Sequence, residues 1–223
     1  MIQDRDTLER VRQIRNDPWE FLKGCRTLDQ VDRSNPIKDF PTHREYLKLF
    51  VRVWQRKRLI LVPKSRRMSM SWTCIALSLW DSMFHAGRNW AFVSKKETDS
   101  DELIKRAIFI LENMNHDVIP KDIVPNWEPI FGKLTFPEIS SQITGFASGA
   151  DQLRQFTFSG ILADEMAFWD DAEQMFSASF PTIEGKKGIE GGKFIGISSP
   201  APGFFQRLVF DRLDEPFEEV GDA

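Results

Sequence analysis

Short apolar runs alternate with helical patterns along most of this 223-residue chain, and the alternation restricts its fold more than any other feature. Four runs have the length and composition of buried strands: residues 59–62, 90–94, 156–165 and 193–200. Three longer segments repeat apolar residues at helical spacing: residues 46–54, 71–87 and 98–116. Strands separated by helices predict an α/β fold with a mostly parallel sheet flanked by helices. The functional site of such a sheet lies at the carboxyl ends of its strands.

The other segments divide the chain into a core and two flanking parts. Residues 1–35 are typical of a short, charged helical appendage, and the core is expected to span residues 36–202. Residues 203–223 begin with an apolar helical pattern and end in an acidic run. Within the core, residues 120–148 predict short antiparallel strands with turns, and the glycines of residues 184–192 indicate a loop.

Charge and cysteine content exclude some classes of protein. The formal net charge is −3, but seven cations and no acid lie between Arg52 and Arg67, which fits either a solvated helix face or bound phosphate. Cys25 and Cys74 are too few for a disulfide framework and predict buried thiols in a reducing compartment. No apolar run approaches the roughly 20 residues of a membrane span, and the charged N-terminus lacks a signal-peptide pattern, so we expect an intracellular protein without a membrane partner.

The segment VPKSRRMSMSW, residues 62–72, joins a predicted strand to a predicted helix, where phosphate-binding loops occur. The common loop reads G-x-x-x-x-G-K-[ST]; its backbone N–H groups and lysine bind phosphates, and its hydroxyl binds Mg²⁺. On that pattern, which is the Walker A motif, Lys64 and Ser69 stand at the glycines, Met70 at the lysine and Ser71 at the hydroxyl. By pattern alone the match is poor, and an ordinary basic turn explains the segment better.

A second motif favours the phosphate loop. The run GILADE ends a predicted buried strand with Asp164 and Glu165, and it resembles a Walker B strand. There the first acid, with the loop hydroxyl of Ser71, holds Mg²⁺, and the second is the general base that orients water. A helix N-cap is the alternative for either acid. Together, the loop and the acidic pair make nucleotide hydrolysis more plausible than coincidence.

These motifs resemble the large terminase subunit, the ATPase that drives viral DNA into a preformed capsid in tailed phages. That family has a deviant phosphate loop of the form [KS]-x-R-[QR]-x-G-x-[ST], and KSRRMSMSW keeps its basic frame with Ser69 in place of the glycine. GFASGADQLRQFTFSGILADE is similar to the family's approach to the acidic pair. GISSPAPG is similar to its coupling motif, with Ser198, Ser199 and Pro200. The resemblance covers about residues 40–205 and implies a P-loop NTPase fold of the ASCE or RecA-like class.

The resemblance implies further roles for single residues. Lys64 replaces the missing lysine from the start of the loop, and Arg66 is an arginine finger acting within its own chain. Arg154 is either an arginine finger for a neighbouring subunit or a residue that orders its own turn. The family's adenine-binding element falls near Tyr46. The expected nucleotide-binding residues are Lys64, Ser65, Arg66, Arg67, Met68, Ser69, Met70, Ser71 and Trp72.

The resemblance implies an ATP- and Mg²⁺-dependent motor that translocates double-stranded DNA. Its expected partners are DNA, the portal protein, the small terminase subunit and further copies of itself in a ring, with a monomer as the alternative for the isolated chain. Its expected location is the host cytoplasm. Residues 203–223 are expected to begin a lid or linker, with the family's nuclease domain absent. A helicase-like DNA-dependent ATPase and a nonhydrolysing nucleotide-binding scaffold remain alternatives, and a plain DNA-binding module leaves the acids at the strand end unexplained.

Overall fold

The structure is a computed structural model that describes residues 5–29, 31–185 and 191–210. Its strands are β1 (Arg26–Leu28), β2 (Ile37–Asp39), β3 (Leu59–Pro63), β4 (Asn89–Ser94), β5 (Glu128–Ile130), β6 (Lys133–Phe136), β7 (Ser141–Ala147), β8 (Gly160–Asp164) and β9 (Lys193–Ser198). Its α-helices are α1 (Arg5–Asn16), α2 (Pro18–Leu22), α3 (Glu45–Arg56), α4 (Met70–Phe84), α5 (Glu97–Glu112), α6 (Ala150–Leu153), α7 (Ala172–Ile183) and α8 (Phe204–Phe210). Short 3₁₀ helices occur at Lys121–Ile123, Pro137–Ile139 and Met166–Phe168.

The main sheet follows the order β3-β9-β8-β4-β7-β6-β5. Strands β3, β9, β8, β4 and β7 pair in parallel, and β6 and β5 extend the sheet in antiparallel orientation. Strands β1 and β2 form a separate antiparallel pair. Although β9 follows β8 by a long connection, it lies between β3 and β8. The sheet therefore brings the ends of three strands that are distant in sequence to one edge.

The central strands are apolar because both faces of the sheet are covered. On β4, Trp90 and Phe92 join a hydrophobic cluster with α3, α4 and α5, whereas Ala91 and Val93 join a second cluster with α7 and α8. Side chains that point to either face of the sheet are thus buried, which explains the continuous apolar runs of the sequence. The first residue of β8 must be Gly160, because a Cβ there would lie 2.4 Å from the Trp90 ring.

Helix α4, which follows the phosphate loop, is buried on nearly all sides, although its sequence predicts a single apolar face. Its polar residues Ser78, Asp81 and Ser82 are buried as well. Ser78 Oγ donates to the Cys74 carbonyl at 2.9 Å, and Asp81 accepts a 2.8 Å bond from the Trp90 indole N–H. The periodicity prediction fails here because hydrogen bonds satisfy Ser78 and Asp81 in the interior, whereas the buried Ser82 hydroxyl has no hydrogen-bond partner among the described residues.

The N-terminal helices α1 and α2 pack onto this central helix. Ile14, Trp19 and Phe21 belong to the same cluster as α4, and the Trp80 indole N–H donates to the Ile14 carbonyl at 2.8 Å. The predicted helical character ends earlier than expected, because residues 26–28 form strand β1. Cys25 and Cys74 are free and buried, as predicted.

The antiparallel prediction for residues 120–148 is confirmed for β5 and β6 but is wrong for one side of β7. Strand β7 is antiparallel to β6 and parallel to β4, so it joins the two parts of the sheet. Most of the predicted loop at 184–192 and the acidic run after residue 210 lie outside the described residues. Within the described ranges, none of the helices combines the length and the apolar character that crossing a bilayer requires.

Candidate nucleotide-binding site

Three polar segments meet at the carboxyl edge of the parallel strands, where the sequence predicts the site. Pro63, the last residue of β3, pairs with Ser198 at the end of β9. Asp164, the last residue of β8, pairs with Ile197 on the other side of β9. The coupling segment, residues 198–200, therefore lies between the phosphate loop and the acidic pair.

Unusual backbone conformations concentrate at this edge. Among the described residues, the non-glycine positions with positive φ are Arg67 (64°), Ser69 (56°), Ser140 (54°) and Glu165 (51°). All but Ser140 lie in the predicted site. Each such conformation costs about 1–3 kcal/mol and persists only where its surroundings hold it, which is typical of functional sites.

The loop hydroxyl and the first acid are in direct contact. Ser71 Oγ donates to Asp164 Oδ1 at 3.0 Å, and Asp164 is 8% exposed. Burial raises the pKa of Asp164 above its ordinary value, although the charge of Lys64 and the bond from Ser71 act in the opposite direction. A buried carboxylate whose ionised form is destabilised gains more than an exposed one from a cation beside it.

These two residues fit the role of magnesium ligands. Mg²⁺ takes oxygen ligands and is usually held by one or two carboxylates together with substrate phosphates and water, rather than by a cage of protein ligands. The hydroxyl of Ser71 and the carboxylate of Asp164 supply such oxygens side by side. Among the described residues no group of three or more His, Cys, Asp or Glu side chains could hold a metal ion.

The second acid is held by the loop lysine and by the coupling segment. Lys64 Nζ lies 2.7 Å from Glu165 Oε1, and its side chain is 8% exposed against 37% for Glu165. Glu165 Oε2 accepts bonds from the Ser199 N–H at 2.9 Å and from Ser198 Oγ at 3.3 Å. Burial raises the pKa of Glu165, but the bonds from Lys64 and Ser199 outweigh it and hold that pKa below its ordinary value. The carboxylate is therefore ionised and fixed at the edge of the sheet.

The remaining predicted residues lie around this centre. Arg66 and Arg67 are exposed, and the side chain of Arg66 has no hydrogen bond or ion pair with the part of the chain that is described. Met70 is buried in the core beneath the loop, and Trp72 packs edge-on against Phe109. Met70, at the position of the pattern's lysine, is thus a packing residue, and the buried cation of the site is Lys64.

Arg154 and Pro200 border two different cavities. Arg154 follows α6 and lines an open groove of about 1520 Å³ together with Trp169 and Asp170. Pro200 lines a smaller cavity of about 220 Å³, mostly apolar, with Pro63 and Phe205.

Sequence reasoning missed two arginines near the loop. Arg44, just before α3, donates hydrogen bonds to the carbonyl of Arg67 and to Ser69 Oγ, at 3.2 and 3.3 Å. Arg106 lies on α5 with its guanidinium carbon 5.7 Å from the centre of the Trp72 ring, and its charge opposes the rise that burial causes in the pKa of Asp164. Neither arginine stands in a motif, so no sequence signal identifies them; only the packing of α3 and α5 brings them near the loop.

No protein-family model and no curated protein matches this chain in sequence. Solved structures are similar to it. A variant of the large terminase ATPase domain from Thermus phage P74-26 matches with a TM-score of 0.52 and 12% identity, over 72% of this chain and 67% of that one. The large terminase of the thermophilic bacteriophage D6E, in complex with ADP, matches with a TM-score of 0.54 and 16% identity, over 76% and 42%. The large terminase of bacteriophage HK97 matches with a TM-score of 0.55 and 11% identity, over 82% and 37%.

These similarities confirm the predicted fold. The chain has a mostly parallel, helix-flanked sheet, and its fold is similar to that of phage large terminase ATPase domains. It spans 42% of the D6E chain and 37% of the HK97 chain. At identities of 11–17% the likeness concerns the fold.

Proposed function

We propose that this chain is the ATPase motor domain of a DNA-packaging terminase and hydrolyses ATP to ADP and phosphate. The observation that carries the proposal is the pair of contacts across the edge of the sheet, Ser71 to Asp164 and Lys64 to Glu165. They join the loop that would bind phosphates to the two acids that would support hydrolysis. The terminase fold and the ADP bound to the D6E protein support the same activity.

The phosphate loop would bind the phosphates of ATP with residues 64–72. Backbone N–H groups before and within the first turn of α4 attract anions, and the positive end of the helix dipole adds to this attraction. Lys64 would contribute the charge that Met70 does not carry. Mg²⁺ bound by Ser71 and Asp164 would neutralise charge on the phosphate oxygens.

Glu165 would act as the general base on the attacking water. In the structure one of its oxygens is paired with Lys64, and the other is held by Ser198 and Ser199. A terminal phosphate would compete with Glu165 for Lys64, because both are anions beside the same buried ammonium group. Glu165 would then keep its bonds to the coupling segment while the oxygen released by Lys64 faces water. In this way Ser198, Ser199 and Pro200 would transmit the presence of phosphate to the segment that follows.

Arginines would compensate the charge that develops during phosphoryl transfer. Arg66 is exposed in the loop and would act within its own chain. Arg154 would order its own turn, with action on the site of a neighbouring subunit as the alternative. A single arginine leaves part of the developing charge uncompensated, which favours a site completed by a second copy.

The proposed partners follow from this function. Double-stranded DNA would be held through its phosphates, independently of sequence. The portal protein, the small terminase subunit and further copies of the chain in a ring would complete the motor in the cytoplasm of the infected host. Binding of ATP without hydrolysis would instead favour the nonhydrolysing scaffold, in which Ser69 and Met70 have replaced the glycine and the lysine of a catalytic loop.

Replacing Glu165 tests the proposed chemistry. Glu165→Gln should bind a fluorescent ATP analogue about as tightly as the parent and lose about 10²–10⁴-fold in phosphate release, since it keeps the shape but not the base. Glu102→Gln on the exposed face of α5 removes an equal charge away from the site and should leave both quantities unchanged. Phosphate release by Glu165→Gln within a few-fold of the parent would refute the assignment of the base.

A further inference from the structure

We propose that Arg44 and Tyr46 are positioning residues that hold the glycine-free phosphate loop in its binding conformation. The inference deepens the proposed function and rests on it for the identity of the ligand. The contacts themselves are independent of any ligand. They come from the start of α3, which is outside the loop and outside the acidic strand, that is, β8 with Asp164 and Glu165 at its end.

The loop needs such support because its backbone is left-handed at two residues that carry a Cβ. Arg67 has φ of 64° and Ser69 has φ of 56°, the region that favours glycine. Ser69 is also the N-cap residue directly before α4, and its side chain makes no capping hydrogen bond to that helix. A common phosphate loop uses glycines for such conformations, so here their stabilisation must come from elsewhere.

The structure contains contacts suited to that task. The Tyr46 hydroxyl donates to the Met68 carbonyl at 3.0 Å. One nitrogen of Arg44 lies within hydrogen-bond distance of the Arg67 carbonyl, Ser69 Oγ and the Tyr46 hydroxyl, at 3.2, 3.3 and 3.2 Å. Two successive loop carbonyls are therefore held from the side of α3.

Holding these carbonyls also orients the neighbouring N–H groups. The peptide bonds of the described chain are trans, and in a planar trans peptide the C=O and N–H groups point in opposite directions. The N–H groups of Met68 and Ser69 therefore point away from Arg44 and Tyr46. Donors fixed on one side of a loop are what anion binding requires.

The charges near Arg44 indicate an anionic ligand. Arg44 contacts the backbone carbonyl of Arg67, whose side chain is exposed, and within the described ranges Arg44 makes no ion pair with an acid. A phosphate bound in the loop would be attracted by the positive charge of Arg44 and by that of the exposed Arg67 side chain. Arginine suits the position better than lysine because its planar guanidinium offers several donors in fixed directions.

A double-mutant cycle between Tyr46 and Ser69 tests the proposal. Tyr46→Phe removes the hydroxyl and keeps the ring, and it should weaken binding of an ATP analogue about 5–10-fold while kcat falls less than KM rises. Ser69→Gly removes the strain that the contact supports, so the same Tyr46→Phe change should cost less than about twofold in that background. Arg44→Gln should resemble Tyr46→Phe, and Arg52→Gln on the same helix is the exposed control.

The possible results separate this inference from the proposed function. Equal losses in both backgrounds would mean that Tyr46 contacts the nucleotide directly, and no loss in either would mean that the hydroxyl is idle; both overturn the proposal. If no nucleotide binds, the same cycle is read by urea unfolding. Ser69→Gly should then raise the free energy of unfolding more in the Tyr46→Phe background than in the parent background. That result would confirm that Tyr46 stabilises the loop conformation even though the proposed function fails. Additive effects on unfolding would show that Tyr46 does not stabilise the loop conformation.

Discussion

The acidic strand and the phosphate loop face each other across the site, but they obtain their shapes from different sources. Strand β8 is buried along its whole length and paired on both sides, so Asp164 is placed by the sheet itself. The loop has exposed residues 65–67 and strained angles, and its contacts include Arg44 and Tyr46 from another element. A site can thus combine one part that is fixed by core packing with another that depends on a few polar contacts.

The difference predicts unequal tolerance to mutation. Changes in the acidic strand should alter the rate of hydrolysis, because the sheet fixes the positions of its residues. Changes in the loop or its supports should act on nucleotide affinity, because they alter the conformation that binds phosphate. The following predictions are ordered by the size of the expected effect.

Lys64→Ala should have the largest effect on nucleotide handling. Removing the buried ammonium group takes away the charge that we propose binds the terminal phosphate, and it leaves Glu165 without its cationic partner. We expect kcat/KM for ATP to fall by about 10²–10³-fold, with weaker binding of the analogue. Met70→Leu is the control, since it conserves volume at a buried position and should change binding less than about threefold. Equal losses in the two variants would mean that loop packing, rather than the charge of Lys64, explains the site.

The sequence predicted the acidic side well and the loop side poorly, for physical reasons. A buried strand that ends in two acids is a local signal, and GILADE predicts both the element and the place of its polar end. The loop carries neither the glycines nor the lysine of its pattern, and we propose that Lys64 and the contacts from Arg44 perform those tasks from elsewhere. Contacts between elements distant in the chain leave no periodicity, so Arg44 and Arg106 were missed. The position of β9 between β3 and β8 likewise depends on the topology of the whole sheet.

Arg154→Ala should have an intermediate effect that depends on assembly. If Arg154 completes the site of a neighbour, the variant should lose about tenfold or more of the turnover that appears at high protein concentration. The low-concentration rate should stay unchanged, since each chain there works alone. Sedimentation at the assay concentrations must show that parent and variant associate equally. A brisk, concentration-independent rate from a monomer would instead leave Arg154 as a structural residue.

Asp164→Asn should stabilise the nucleotide-free fold while it removes Mg²⁺-dependent turnover. Because burial raises the pKa of Asp164, its contribution to stability is full below the ordinary aspartate pKa and is lost as pH rises through the folded-state value. At pH 7 the variant should therefore unfold at a higher temperature, and a gain of about 1 kcal/mol corresponds to about 2–4 °C for a chain of this size. The difference should shrink as pH falls towards 4.

The exposed Asp170 provides the control for this stability prediction. Asp170→Asn removes an equal charge, and its surface ion pair with Lys95 should contribute little. If Asp164→Asn unfolds at a lower temperature than the parent at pH 7, the ionised carboxylate stabilises the fold and the burial argument is wrong.

Phosphate release by the parent chain, measured with ATP and Mg²⁺ over a range of protein concentrations with and without double-stranded DNA, tests the central claim most directly. We predict turnover that requires Mg²⁺, rises per chain with protein concentration and exceeds that of Glu165→Gln under every condition. ATP analogue binding without such turnover, at all concentrations and with DNA present, would contradict the claim that this site hydrolyses ATP.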